Sequence, residues 1–165
     1  MPDAAVDRPA AREALDRLSA RFPGMVLAVS VDKGETVVRL GAKDVRPAIR
    51  FLKDELGFNA LEDLIVLDDL LTAPAGGRRF TVLYQLFRFP AADRLRLAVE
   101  IGEDESLDSV VEVYRSADWA EREAFDMFGV RFVGHPGLRR IYMPDEFEGH
   151  PLRKDFPLRG RDGGV

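Results

Sequence analysis

Residues 116–158, SADWAEREAFDMFGVRFVGHPGLRRIYMPDEFEGHPLRKDFPL, begin as a helix and end as neither helix nor strand. Asp118 is expected to cap the helix, with Glu121 three residues on as its capping-box partner. Trp119 to Phe128 carry the helical period, and Gly129 stands where a left-handed residue ends a helix. On this helix Arg122 and Asp126 lie four apart, and Glu123 and Asp126 three apart, so they share a surface. Beyond Gly129 the period is lost. Gly134-His135-Pro136-Gly137-Leu138-Arg139-Arg140 is nearly repeated by Gly149-His150-Pro151-Leu152-Arg153-Lys154. Leu138, Ile141, Tyr142, Met143, Phe147, Leu152 and Phe156 are too many apolar side chains for a solvated tail. Left in water, such a strap would keep apolar groups wet and backbone polar groups unpaired. A partner surface removes both costs, and arginines and aromatics among small turn residues are what interface anchors look like.

The preceding chain reads as alternating blocks of elements. Pro9 to Phe22 is an amphipathic helix with Ala11, Ala14, Leu15, Leu18 and Phe22 on one face, closed by Pro23-Gly24. Met25 to Val31 and Thr36 to Leu40 form a hairpin turning at Asp32-Lys33-Gly34-Glu35. Asp44 is expected to cap a second helix that runs to Leu56 with Ile49, Leu52 and Leu56 as its stripe and Gly57 at its end. Leu61 to Leu67 is a strand. Phe80 to Phe89 is a strand apolar on both faces and therefore inside a sheet. Leu95, Leu97, Val99 and Ile101 alternate with Arg96, Ala98 and Glu100, and the short loop before them makes the pair antiparallel. Gly102 to Asp108 is expected as an acidic loop, and Asp108 or Ser109 as the cap of a short helix to Tyr114. Helices and strands in blocks imply an α+β fold, with helices packed on a mainly antiparallel sheet and an extended irregular C-terminal strap. Residues 1–129 would be the globular domain and 130–165 the partner-binding segment.

Composition excludes several roles. At 165 residues one domain is the expectation, and 46% hydrophobic with 32% charged residues is the balance of a soluble globular protein. The 24 basic and 29 acidic residues give a net charge of −5, which argues against nucleic-acid binding. No apolar run is long enough to span a membrane, and MPDAAVDRPAAREAL has no signal-peptide core. Cysteine is absent, so there is no disulfide, thiolate zinc site or Cys-ligated iron–sulfur cluster. No GxGxxG or P-loop pattern occurs.

The conspicuous side chains have a chemical and a structural reading. Glu121, Glu123 and Asp126 beside Trp119 and Phe125 could be general acids or bases, but Arg122 among them favours ionised, paired carboxylates. His135 and His150 with Asp145, Glu146 or Glu148 could form a 2-His-1-carboxylate metal site, the signature of a small metalloenzyme. Each histidine precedes a proline in an extended segment, however, where an imidazole more often bonds backbone. Arg139, Arg140, Arg153, Lys154, Arg159 and Arg161 could contact phosphate, yet Asp145, Glu146, Glu148 and Asp155 are interleaved with them and no aromatic platform accompanies them. Arg153, between Leu152 and Phe156, would hold its guanidinium at a dry part of an interface, whereas Arg161 in the Gly-rich end would be solvated.

The ordered series Glu121-Arg122-Glu123-Ala124-Phe125-Asp126-Met127-Phe128-Gly129, Gly134-His135-Pro136, Leu138-Arg139-Arg140 and Glu148 to Pro157 closely resembles the 30 kDa subunit, or C subunit, of respiratory NADH–quinone oxidoreductase, complex I. The match covers about a quarter of the chain. The resemblance implies a cofactor-free accessory subunit of the hydrophilic arm, with FMN and iron–sulfur clusters held by other subunits. It implies that Glu121, Arg122, Glu123, Asp126 and Gly129 are architectural. It further implies that His135, Leu138, Arg139, Arg140, His150, Leu152, Arg153, Lys154, Asp155 and Phe156 face partners. Those partners would be the large quinone-site subunit, also called the D subunit, with the B and I subunits nearby. The chain would then reach the membrane only through the complex, as a peripheral part on the cytoplasmic face of the inner or plasma membrane. Matching subunits of membrane-bound hydrogenases and of ferredoxin- or deazaflavin-linked complexes are the alternative.

Overall fold

The computed structural model describes residues 9–157. Leu158, Arg159 and Arg161, at the end of the expected strap, lie outside the described residues. Helix α1 (Pro9–Arg21) and helix α2 (Val45–Leu56) pack on a five-stranded sheet. Its strands are β1 (Val26–Asp32), β2 (Glu35–Leu40), β3 (Ala60–Asp68), β4 (Phe80–Arg88) and β5 (Asp93–Ile101). The spatial order is β1-β2-β5-β4-β3, and every neighbouring pair is antiparallel except β2 with β5. Residues 134–157 form turns and bends without helix or strand. The chain is therefore α+β with a mainly antiparallel sheet and an irregular strap, as its block order implied.

The alternation in β5 does what period-two strands do. Leu95, Leu97, Val99 and Ile101 are buried, facing the Leu18, Ile49 and Leu52 stripes, while Arg96 and Glu100 point to the open face. Strand β4 lies between β3 and β5, which accounts for its apolar residues on both sides. Gly57, at φ 72°, ends α2 in the left-handed region, with its N–H on the Leu52 and Lys53 carbonyls.

Three local expectations are corrected. Asp44 does not cap α2. It ends a 3-10 turn (Ala42–Asp44) with helical dihedrals and makes no side-chain bond to the helix N-terminus. The supposed acidic loop contains strand β6 (Ser106–Asp108), which pairs in parallel with β7 (Arg131–Val133). Residues 109–114 turn rather than form a helix, because tertiary partners take their polar groups. Lys53 donates to the Val113 carbonyl, the Tyr114 hydroxyl donates to Phe58 O, and a carboxylate of the next helix takes the Val110 N–H. These long-range partners override local propensity. Val130 and Phe132 belong to the same buried core as the sheet.

Candidate functional site

The chemistry-bearing residues gather along helix α3 (Ala117–Phe128) and the strap that folds back over its end. Gly129 follows the helix at φ 80°. The last carbonyls of any helix lack partners within it. Here the chain supplies them from residues far downstream. Gly129 N–H reaches Phe125 O at 2.9 Å. The Asp126 carbonyl accepts from His150 Nδ1 at 2.9 Å and from Arg140 Nη1 at 3.3 Å. Met127 O accepts from Leu152 N–H at 3.1 Å, and Phe128 O from Arg153 Nε at 2.7 Å. Two guanidinium groups thus sit at the negative end of the helix dipole.

The Asp126 side chain pins the middle of the strap. It is fully buried. Its Oδ2 accepts the backbone N–H groups of Ile141, Tyr142 and Met143 at 3.0, 2.8 and 3.0 Å, and its Oδ1 accepts from Arg140 at 2.7 Å. Burial alone would push this carboxyl up, but the N–H groups and Arg140 outweigh it and hold it below the ordinary aspartate value. Arg140 also donates to Gly149 O at 3.0 Å, so one guanidinium ties helix, strap middle and strap end.

Gly129 is required twice over. A Cβ there would lie 2.6 Å from Arg153 Nη2 and from His150 Nε2, besides demanding a left-handed alanine. His150 donates through Nδ1 to a carbonyl. Burial, and then the nearby Arg153 and Arg140, outweigh the Asp126 carbonyl and lower its pKa, which favours the neutral ring.

A second joint holds the strap end to the sheet. Asp68, at the end of β3, receives Arg79 at 3.3 and 3.1 Å and the Lys154 N–H at 2.8 Å. Arg79 also reaches Glu103 at 3.0 Å and Asp155 at 2.5 Å. Burial raises the Asp68 carboxyl, yet Arg79 and the Lys154 and Leu70 N–H groups bring it below its usual value. Arg79 in turn is held further above its already high pKa, since its three carboxylates outweigh desolvation. Arg153 reaches Glu103 at 2.5 Å, and the Arg79 and Arg153 guanidinium groups lie 5.2 and 5.4 Å from the Phe80 ring. Phe147 stacks on Phe156 at 5.9 Å.

The other end of α3 overturns the capping-box expectation. The helix starts at Ala117 after Ser116, neither Ser116 nor Asp118 makes a cap bond, and Glu121 points into the core. Its Oε1 accepts the Val110 N–H at 2.7 Å. Its Oε2 and the Tyr84 hydroxyl are both buried without a hydrogen-bond partner. Desolvation raises the Glu121 pKa, and burial together with Glu121 raises that of Tyr84. His135 accepts the Gly137 N–H on Nδ1 at 3.0 Å, leaving Nε2 to donate to Asp118 O at 3.2 Å.

The two histidines therefore bind opposite ends of α3, His135 at Asp118 and His150 at Asp126. The intervening rise is about 12 Å, too far to share one ion. Among the described residues no group of three His, Cys, Asp or Glu is placed to hold a metal. Arg122 does not pair with Asp126. It lies 5.1 Å from the Trp119 ring and donates to Arg139 O at 3.3 Å. Glu123 is exposed, and Leu138 packs against the core. Of the strap, Arg139, Tyr142, Leu152, Lys154 and Asp155 point outward. Asp68, Arg79, Phe80, Tyr84 and Glu103 were not singled out from sequence. Their partners lie tens of residues away, where no local spacing can announce them.

Residues 38–162 match the family described as "Respiratory-chain NADH dehydrogenase, 30 Kd subunit". The chain is 43% identical over 148 residues to the NADH-quinone oxidoreductase C subunit of Trichlorobacter lovleyi, covering 89% of this chain and 90% of that one. The C subunit of Geobacter sulfurreducens is 42% identical over 150 residues, covering 90% and 91%. A solved trypsin-resistant fragment of Nqo5 superposes with a TM-score of 0.59 at 29% identity, over 78% of this chain and 99% of the fragment. A chain of an archaeal membrane-bound sulfane sulfur reductase shares the fold, with a TM-score of 0.71 at 22% identity, over 89% of this chain and 85% of that one.

Proposed function

Because the chain belongs to the family of the respiratory-chain NADH dehydrogenase 30 kDa subunit, we propose that it serves the hydrophilic arm of proton-translocating NADH–quinone oxidoreductase as a structural subunit with no cofactor of its own. The observation that carries this reading is the family match over residues 38–162, which runs from the end of β2 through α2, β3 to β5, α3 and the strap. The side-chain geometry supports it. Asp126, Arg140, His150 and Arg153, the groups that look most like chemistry, make their bonds within the chain. They build a joint rather than a reaction centre.

In this reading residues 1–129 form the domain that packs beside the large quinone-site subunit, and segment 130–165 lies over it, with the B and I subunits nearby. FMN and the iron–sulfur clusters belong to other subunits. Exposed Arg139, Tyr142, Leu152, Lys154 and Asp155, with the Phe147–Phe156 stack beneath, offer the partner an apolar centre and a charged rim. His135, Arg140, His150 and Arg153 act on the partner indirectly, by holding that surface in shape. Among the described residues no helix is long and apolar enough to cross a membrane, and the chain would sit at the cytoplasmic face through the complex. Its share of the mechanism is geometric: it keeps the cofactor-bearing subunits at fixed separation while electrons pass from NADH to quinone.

The test is purification from the native host with an affinity tag on this chain. NADH–quinone oxidoreductase subunits should copurify stoichiometrically, and deleting the gene should remove the assembled arm. Recovery of the chain alone, with NADH–quinone activity unaffected by the deletion, would refute the reading.

A further inference from the structure

The sequence holds a single tryptophan, and Trp119 is 64% exposed on the first turns of α3. An indole in water forgoes one of the larger burial gains any side chain can make. Its neighbours are cationic. The Arg122 guanidinium lies 5.1 Å from the ring and uses only Nε, toward Arg139 O. The side chains of Arg139 and Arg115 are exposed, and among the described residues no carboxylate pairs with them. The contrast is with Arg79, Arg88, Arg96, Arg140 and Arg153, each of which a carboxylate of this chain holds. Of the nearby acids, Asp118 faces His135 at 3.3 Å, and Glu123 is exposed on the next position of the helix. Among the described residues the exposed indole thus carries one guanidinium that no carboxylate holds, and that guanidinium meets the backbone of Arg139, whose own side chain is exposed.

We propose that Trp119, Arg122 and Arg139 form a docking patch for a carboxylate-bearing segment of a neighbouring protein subunit. The inference rests on the subunit reading above and adds a contact that the strap does not include. The occupant follows from charge and shape. A guanidinium stacked on an indole presents its free N–H edge outward, and a carboxylate matches that edge with two parallel bonds. The indole beside it needs an apolar pocket, which a folded protein surface provides. Tryptophan and arginine together are also the side chains most often found to dominate binding at protein interfaces.

In the native host, Arg122→Glu and Trp119→Ala should each lower the fraction of this subunit found in assembled complex about tenfold, and Arg122→Lys should restore part of it. The thermal melting of the lone chain should change little for Trp119→Ala, whose indole is exposed, whereas Arg122→Glu also loses the bond to Arg139 O and its assembly is read against its own melting. Independently of either substitution, a photoreactive benzophenone amino acid introduced at Trp119 should crosslink, in the intact complex, to another subunit at a peptide containing Asp or Glu. A crosslink to a second copy of this chain or to lipid would overturn the patch, as would normal assembly of Arg122→Glu. Leu152→Asp separates the two readings. If it lowers assembly while Arg122→Glu does not, the subunit reading stands and the patch is wrong. If the unmodified chain copurifies with no NADH–quinone oxidoreductase subunit, the reading beneath it is wrong.

Discussion

Asp126 and Glu121 are carboxyls of one helix, both shielded from water, and their surroundings drive them in opposite directions. Asp126 has backbone N–H groups and an arginine to stabilise its charge. Its pKa is depressed, so the stability it contributes is present above the unfolded aspartate value and is lost as pH falls through the folded one. Acid should therefore loosen the strap ahead of the sheet, with Ile141, Tyr142 and Met143 amides losing protection first in a hydrogen-exchange series from pH 6 downward. Asp126→Asn should remove the same anchor at neutral pH. It removes the charge from a buried pair and leaves Arg140 only the Asp126 and Gly149 carbonyls, for about 3–5 kcal/mol by urea unfolding. Glu121 has the Val110 N–H and the Ser109 hydroxyl beside it but no arginine or lysine to pair with, and its desolvation outweighs them. Its pKa is raised, so its neutral form suits the fold, and stability falls as pH climbs from the unfolded glutamate value through the folded one. Glu121→Gln keeps an acceptor for Val110 N–H without the charge. It should flatten the decline in stability that sets in above the unfolded glutamate value, whereas Glu121→Ala leaves a buried N–H unpaired and should lose about 1–3 kcal/mol. A decline unchanged in the Gln variant would show that another group titrates.

At the scale of elements, α3 is two-faced in its dependence. Its N-terminal half is held by the core and its last turn by residues 140–153. Gly129→Ala should hurt both cap and strap. The left-handed alanine costs about 1 kcal/mol, and His150 and Arg153 must be displaced as well, so total losses near 2–3 kcal/mol are expected in chemical denaturation. Arg153→Ala leaves Phe128 O without its side-chain donor and Glu103 with Arg79 alone. Trypsin should then cut at Lys154 faster than in the unaltered chain, with Arg153→Lys intermediate because an ammonium cannot bridge both acceptors as the fork does. Equal cleavage of all forms would mean the strap end is held elsewhere. How legible these elements were varies with where their bonds go. The stripes of α1 and α2, the alternation in β5 and Gly57 and Gly129 were readable, because local period and local dihedral determine them. The capping box at Asp118, the cap at Asp44 and the helix over 109–114 were misread. At Asp118 and over 109–114 the pattern permitted a local bond and a residue distant in sequence supplied another, whereas Asp44 is taken into a 3-10 turn ahead of the helix. Glu121 is the clearest example, a capping-box glutamate by spacing and a core ligand of Val110 in fact.

For the whole molecule, the outward and inward residues of the strap have separable roles. Leu152 is half exposed, with its backbone N–H on α3. Leu152→Asp should leave the lone chain's stability within about 0.5 kcal/mol and yet reduce assembly several-fold, read as the ratio of free to complexed subunit. A large loss of lone-chain stability would put Leu152 inside the fold's own energetics instead. The motifs of residues 121–157 indicated which part of the chain matters, but not that it first binds its own body, since Asp68 and Arg79 gave no signal of being its anchors. The bond from Lys154 N–H to Asp68 spans 86 residues, and beyond the Gly129 cap the last carbonyls of α3 are satisfied by the strap. Ribosomal synthesis runs in one direction, and contacts between distant parts of a chain wait for both to exist. A nascent chain can complete its sheet while the strap is still inside the exit tunnel. A chain that has emerged only as far as residue 149 therefore lacks the donors that His150, Leu152 and Arg153 bring to the Asp126, Met127 and Phe128 carbonyls. The last turn of α3 is finished by residues made after it, and its full hydrogen bonding waits for them.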